Sequence, residues 1–197
     1  GKIWVNLDGS GVNKGLEITL LGAIIRNSDF TWNLGGNASF LQNEVTGLVG
    51  FYETGELRGQ GFSGVLGQRV VSGQPLNVWY LAIHEGIDKT TGQSIYTGGD
   101  PAANKFYLGS PNPKTILGLS TDVAYKKFTA ALNFNGTFGQ YLFNNTAATV
   151  LGIGNLGNRN IAKSILGGDA KEAISNAPAP SNRYLEKGNY IKLANAT

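Results

Sequence analysis

The chain has 197 residues, of which 15% are charged and 29 are glycine, and its formal net charge is +3 at pH 7. A charged share well below the usual ~25%, with about twice the average glycine content, favours β-structure with many turns over a helical or disordered protein. The basic residues are scattered, which argues against a nucleic-acid surface and predicts no nucleic-acid partner. One histidine and no cysteine exclude disulfides and disfavour the usual zinc sites.

The two longest alternating stretches lie at 12–26 and 29–45 and are joined by a tight turn at 27–29. Alternation of apolar and polar residues indicates strands with one apolar and one polar face. Fifteen residues at roughly 3.3 Å each span about 50 Å. Tilted by about 45°, such a strand covers roughly 35 Å along the membrane normal, which is enough to cross a bilayer.

Five more strands are predicted, at 61–73, 77–87, 114–126, 128–144 and 189–197. The stretches between them that are rich in turn residues are interpreted as long loops, at 46–60, 88–113 and 145–188. One short helix is predicted in the last loop, at 160–174, broken at Gly167-Gly168. The predicted fold class is therefore all-β, built from long antiparallel hairpins.

Turn lengths favour a transmembrane barrel over a soluble sheet. Short turns at 27–29, 73–77 and 126–127 alternate with the long loops, as short periplasmic turns and long extracellular loops do in outer-membrane barrels. Aromatic residues lie beside all three short turns and predict one interfacial girdle: Phe30, Trp32, Trp79, Tyr80, Tyr125 and Phe128. A soluble β-sandwich, acting as a carbohydrate-binding or adhesin module, remains the alternative, although sandwiches rarely need strands this long.

The candidate site residues are ligand contacts rather than catalytic groups. Asn33, Asn37, Asn133 and Asn135 share the polar strand faces, which would line the barrel lumen, and Tyr80 and His84 share one face of the strand at 77–87. Amide groups in the lumen could contact a sugar. No nucleophile or base accompanies His84, and no carboxylate pair stands out, so no catalytic, cofactor or metal residue is predicted.

One motif supports a third hypothesis, an NAD(P)-dependent enzyme. Residues 152–157 read G-x-G-x-x-G, with Glu172 about 20 residues further along the chain. The dinucleotide site requires a parallel βαβ unit, whereas the rest of the chain alternates like antiparallel hairpins. We therefore interpret the motif as part of a glycine-rich loop.

Several stretches resemble the late barrel of the TonB-dependent receptors of the SusC/RagA family, over nearly the whole chain and in the family's order. The most specific is LGSPNPK at 108–114, accompanied by KGLE at 14–17, FNGTFGQ at 134–140 and SNRYLEKGNYIKL at 181–193. The family more often has a smaller aromatic pair where Val78-Trp79-Tyr80 stands. The loop at Gly98-Gly99-Asp100 lacks the fuller acidic pattern, which leaves calcium in 88–113 open.

The resemblance implies a non-enzymatic importer in the bacterial outer membrane that takes up oligosaccharides or peptides. It implies a 22-stranded barrel with an internal plug, a SusD-like lipoprotein acting as a lid, and TonB contacting a part outside these residues. Residues 1–197 would then be a fragment of the barrel without the plug. The absence of methionine and the end at Thr197 inside a predicted strand agree with a piece of a longer protein.

Overall fold

A computed structural model describes residues 8–59, 62–166 and 172–197. The strands are β1 (Ser10–Arg26), β2 (Phe30–Thr46), β3 (Phe51–Leu57), β4 (Val65–Val71), β5 (Val78–Leu81), β6 (His84–Ile87), β7 (Ser94–Tyr96), β8 (Phe106–Tyr107), β9 (Thr115–Tyr125), β10 (Phe128–Phe138), β11 (Tyr141–Phe143), β12 (Leu185–Lys187) and β13 (Tyr190–Ala196). The helix α1 spans Asn145–Val150, and 3₁₀ turns cover Ile153–Asn155, Lys163–Leu166 and Asn182–Tyr184. In the part of the chain so described, no helix is long and apolar enough to cross a membrane.

The long strands form one antiparallel sheet in the order β1-β2-β9-β10-β13. The pairing aligns one residue from each of the five strands in a row across the sheet: Leu20, Gly36, Leu119, Phe134 and Leu193. Because the side-chain period of a strand is two, this register puts most of the large apolar side chains on one face, with Leu21, Leu41 and Ile116 as exceptions on the other. The prediction of an all-β fold built from antiparallel hairpins is confirmed.

The apolar face of this sheet is exposed along its length. It carries large side chains that are each more than a third exposed: Leu16, Ile18, Leu20, Leu34, Phe40, Leu119, Tyr125, Phe128, Leu132, Ile191 and Leu193. Soluble monomers rarely expose apolar surface on this scale, and such a surface marks an interaction with a membrane or another protein. The opposite face carries mainly asparagine, threonine, serine and glycine.

The two long connections, 47–114 and 139–189, fold together at one end of the sheet, and we call their described residues the cap. The first connection forms the sheet β3-β4-β5-β8 and the ladder β6-β7, and the second pairs β11 with β12. Their shared core contains Leu57, Phe62, Trp79 and Leu81 from the first connection with Ala148 and Tyr184 from the second. Burial of these side chains is the main force holding the cap together.

Four predicted segments are wrong in their boundaries for the same reason, which is that the cap has strands of its own. The stretch 46–60 contains β3, and 88–113 contains β7 and β8. The predicted strand 77–87 is two strands, because Ala82 leaves the β5 ladder and forms a parallel bridge with Ser181. The predicted strand 128–144 is divided between β10 and β11 at Gly139, whose φ of +87° a strand residue does not adopt.

The predicted helix at 160–174 is also wrong. The structure places α1 earlier, where the Asn144 side chain accepts a hydrogen bond from the backbone N–H of Ala147 at 2.7 Å and so caps the first turn. Within the predicted range, Lys163–Leu166 forms only a 3₁₀ turn. The predicted break at Gly167-Gly168 lies outside the described residues.

The turn at 73–77 does not belong to the end of the sheet that carries the two short turns. It connects β4 to β5 at the opposite end, where the Gly73 N–H donates to the Val45 carbonyl at 2.8 Å and the Val45 N–H donates to the Gln74 carbonyl. Trp79 is therefore in the cap core, 7% exposed, and the prediction that Trp79 and Tyr80 join the girdle is wrong. Phe30 and Tyr125 do lie together at the short turns, with ring centroids 6.4 Å apart.

Candidate functional site

Three of the predicted site residues meet on the polar face of the five-stranded sheet. Asn37, Asn133 and Asn135 line a shallow cavity of about 150 Å³ together with Thr19 and Ser120. The floor is built of glycine because the side chain of Asn37 lies flat over Gly118, in the space that a Cβ there would occupy. The result is an uncharged surface of amides and hydroxyls with the exposed side chain of Leu21 at its border, and its amides and hydroxyls suit hydrogen bonding to a neutral polar ligand.

Asn33 lies on the same face but in a neighbouring depression. Its Nδ2 donates to Oδ2 of Asp122 at 2.6 Å across the β2–β9 ladder. Asn33, Ser120 and Asp122 line a cavity of about 340 Å³. The structure therefore separates Asn33 from the other three asparagines and gives it a carboxylate partner, which sequence periodicity did not indicate.

Tyr80 lies in the cap, in a row of stacked side chains that crosses all four strands of the sheet β3-β4-β5-β8. The guanidinium of Arg69 lies between two rings, 3.8 Å from the centroid of Phe51 and 3.6 Å from that of Tyr80. The ring of Tyr107 follows, 5.0 Å from Tyr80. Glu53 accepts a hydrogen bond from Arg69 at 3.1 Å. We call Phe51, Arg69, Tyr80 and Tyr107 the aromatic row.

His84 lies in a different part of the cap, away from the aromatic row. Its ring packs edge-on against Tyr96 with centroids 5.5 Å apart, and its Nε2 is buried with no hydrogen-bond partner among the described residues. Burial lowers the pKa of His84, and the positive charge of Arg183 lowers it further while Glu172 opposes the shift. The imidazole is therefore held in its neutral form.

A buried ion pair stands beside His84. Arg183 donates to both carboxylate oxygens of Glu172, at 3.2 and 2.7 Å, and Asn176 donates to one of them at 2.7 Å. Asn176 also accepts a hydrogen bond from the Ser94 N–H at 3.0 Å. This network joins the second connection to the β6–β7 ladder of the first.

The glycine-rich motif and the Asp88 carboxyl both belong to local turns. The G-x-G-x-x-G stretch forms a 3₁₀ turn at Ile153–Asn155 rather than the turn of a βαβ unit, so the dinucleotide reading fails. Across the described ranges, no three His, Cys, Asp or Glu side chains converge as a metal site. Asp88 instead accepts hydrogen bonds from the backbone N–H groups of Thr90 and Thr91, which lower the pKa of its carboxyl.

The chain is similar in sequence to TonB-dependent receptors. No protein-family model matches the chain. The chain is 24% identical to TonB-dependent receptor P3 of Formosa agariphila, over 93% of this chain and 21% of that protein. It is also 24% identical to TonB-dependent receptor SusC of Bacteroides thetaiotaomicron, over 68% of this chain and 15% of that protein. Both relatives are TonB-dependent receptors, and the chain spans about a fifth of their length or less.

Solved structures agree in fold. A structure of the RagAB peptide importer in its open-open state aligns with a TM-score of 0.80 and 24% identity, covering 95% of this chain and 22% of that chain. A structure of the RagAB peptide transporter aligns with a TM-score of 0.76 over the same shares. The resemblance stated from the sequence is confirmed: the chain is similar in sequence and in fold to a segment of SusC/RagA-like TonB-dependent receptors.

Proposed function

We propose that the chain is part of the wall and the external mouth of a barrel in the bacterial outer membrane, which imports oligosaccharides or peptides with energy coupling through TonB. The observation that carries this proposal is the five-stranded sheet with one exposed apolar face and one polar face. The apolar face would meet lipid, and the polar face with Asn33, Asn37, Asn133 and Asn135 would line the lumen.

The two free edges of the sheet support its place in a larger barrel. Within the described residues, β1 and β13 each pair on one side only. An unpaired strand edge inside a bilayer leaves backbone N–H and C=O groups without partners, so spanning sheets close into barrels. Further strands of the same receptor would pair with the free edges of β1 and β13. By its resemblance to the family, the complete barrel would have 22 strands.

The proposed partners follow from the relatives. One similar structure is of the RagAB peptide importer, and by the family resemblance a SusD-like lipoprotein would be the partner here, closing over the cap. TonB would contact a part of the receptor outside these residues. The soluble β-sandwich alternative has less support, because the described residues hold no second sheet facing the apolar side chains of Leu119, Leu132 and Leu193.

The proposal is tested by placing a charge on each face of β10 in the full-length receptor. Leu132→Arg should lower the stability of the assembled barrel by about 2–4 kcal/mol, because the guanidinium would face hydrocarbon. Asn133→Arg, one residue further on the lumen face, is the matched control and should assemble normally. Outer-membrane fractionation and heat-modifiable migration measure assembly. Equal assembly of the two variants would contradict the lipid-facing assignment.

Transport is tested separately from assembly. Cells that depend on the receptor should take up a labelled oligosaccharide or peptide only when both the receptor and TonB are present. Uptake that persists without TonB, with the receptor correctly assembled, would remove the energy-coupled part of the proposal and leave the membrane assignment intact.

A further inference from the structure

We propose that the aromatic row of the cap is a binding platform for the rings of a neutral oligosaccharide. The inference rests on the proposed import function and specifies where the substrate makes contact and which of the two substrate classes fits. The row lies on the face of the sheet β3-β4-β5-β8 opposite to the side chains of Trp79 and Leu81, which enter the cap core.

The row presents aromatic faces at both ends. Phe51 is 50% exposed and Tyr107 is 41% exposed, whereas the Arg69 side chain between them is only 17% exposed. Arg69 stacks against the inner face of Phe51 and against Tyr80. The outer rings are thus held in fixed orientations by the groups stacked behind them, which lowers the entropy lost when a ligand binds.

The charge of the row is compensated before any ligand arrives. Glu53 pairs with Arg69 and accepts its hydrogen bond at 3.1 Å, which favours the charged guanidinium against the opposing effect of burial. What remains at the surface is apolar ring area with a carboxylate and phenol hydroxyls along the rim. A sugar ring matches this pattern, because its C–H face is apolar and its edge carries hydroxyl groups for those acceptors and donors.

The neighbouring residues supply matched controls. Tyr52 is 46% exposed and Phe106 is 38% exposed, close to the values for Phe51 and Tyr107. Each is adjacent in sequence to a member of the row, so strand alternation places both on the opposite face of the same sheet. They test whether binding needs this row or merely exposed aromatic surface.

The experiment uses the purified full-length receptor in detergent and neutral hexasaccharides of glucose, mannose and galactose, with an alanine hexapeptide as the peptide probe. We expect calorimetry to show binding of at least one hexasaccharide. Phe51→Ala and Tyr107→Ala should each weaken it by about 3- to 10-fold, the range expected for one lost aromatic stacking contact. Tyr52→Ala and Phe106→Ala should change it by less than 2-fold.

Each other outcome overturns the platform. It fails if no hexasaccharide binds, if the peptide binds instead, or if both pairs of variants lose affinity equally. Barrel assembly of the variants, measured by heat-modifiable migration, separates this failure from failure of the import function. If the Phe51→Ala and Tyr107→Ala receptors assemble, import and bind the hexasaccharide with unaltered affinity, the receptor functions without this platform.

Discussion

The sheet and the cap are stabilised in opposite ways, although one chain passes back and forth between them. The sheet has long, regular ladders but leaves Leu20, Phe128 and Ile191 exposed, so its apolar surface needs a covering that the described residues do not supply. The cap has short, irregular strands but encloses Leu81 and Tyr184 completely or nearly so. The sheet therefore depends on its surroundings, whereas the cap carries its own core.

The largest expected effect comes from emptying the cap core. Trp79 packs against Phe143 with ring centroids 6.0 Å apart, and its indole N–H donates to the Tyr141 carbonyl at 2.9 Å. Trp79→Ala should destabilise the cap by about 3–5 kcal/mol through the lost burial and the cavity left behind. Faster amide exchange across β5, β8 and β11 in the full-length receptor would measure the loss.

The same variant checks the independence of the two regions. Exchange within β1, β2 and β9 and insertion into the outer membrane should stay as in the unaltered receptor. If Trp79→Ala instead prevents membrane assembly, the sheet needs the cap to fold, and the contrast between the two regions fails.

The next effect concerns the Glu172–Arg183 ion pair, which lies within the second connection and holds Asn176, the residue that bonds to Ser94 of the first connection. Removing one partner leaves the other charge buried and unpaired, which costs about 3–5 kcal/mol for a fully buried pair. Glu172 and Arg183 retain 5% and 17% of their side-chain exposure, so Glu172→Gln should cost somewhat less, about 2–3 kcal/mol. Limited proteolysis within β6–β7 should report the opening.

An exposed pair in the same chain is the control. Arg58 and Glu56 lie 3.3 Å apart with side chains 81% and 52% exposed. Glu56→Gln should change proteolysis little, because exposed pairs contribute about 0–1 kcal/mol. Equal effects of the two substitutions would show that the Glu172–Arg183 pair does not support the Asn176–Ser94 contact between the connections.

The structure could be predicted from the sequence where one pattern, the alternation of apolar and polar residues, decides it. It could not be predicted where several weaker signals compete. The alternation along β1, β2, β9 and β10 identified both hairpins and the polar row of asparagines, although β1 departs from it at Leu20-Leu21 and Ile24-Ile25. In the cap, β3 and β8 are short and have no sustained period. Their pairing depends on contacts between the two connections, far apart in sequence, which local patterns do not contain.

The aromatic row shows the same limit at the level of the site. Strand alternation indicates Tyr80 by its position on a strand face, but it does not indicate Phe51, Arg69 and Tyr107, since they come from three other strands. The two exposed aromatic pairs, Phe51-Tyr52 and Phe106-Tyr107, were a usable signal, because each alternating pair must present one ring to each face. The N-cap of α1 could also be predicted, because Asn144 precedes a short run that contains Ala and Thr.

The smallest expected effect is a pH dependence of the cap alone. His84 is the one histidine in the sequence, and the groups facing it are Tyr96, Arg183 and Glu172. Its pKa is lowered in the folded cap, chiefly by burial, so near and below about pH 6.5 the unfolded chain binds the proton more readily than the folded one. Cap stability should thus be constant above about pH 6.5 and fall as pH drops towards the lowered pKa.

Amide exchange in β6 and β7, corrected for its intrinsic pH dependence, would show this fall between about pH 7 and 5. His84→Gln should remove it, while β1 and β2, which have no histidine, should show no such change in either protein. A cap that becomes more stable as pH falls through this range would mean that the charged imidazole is favoured. The Glu172 carboxylate would then outweigh both burial and Arg183 at His84.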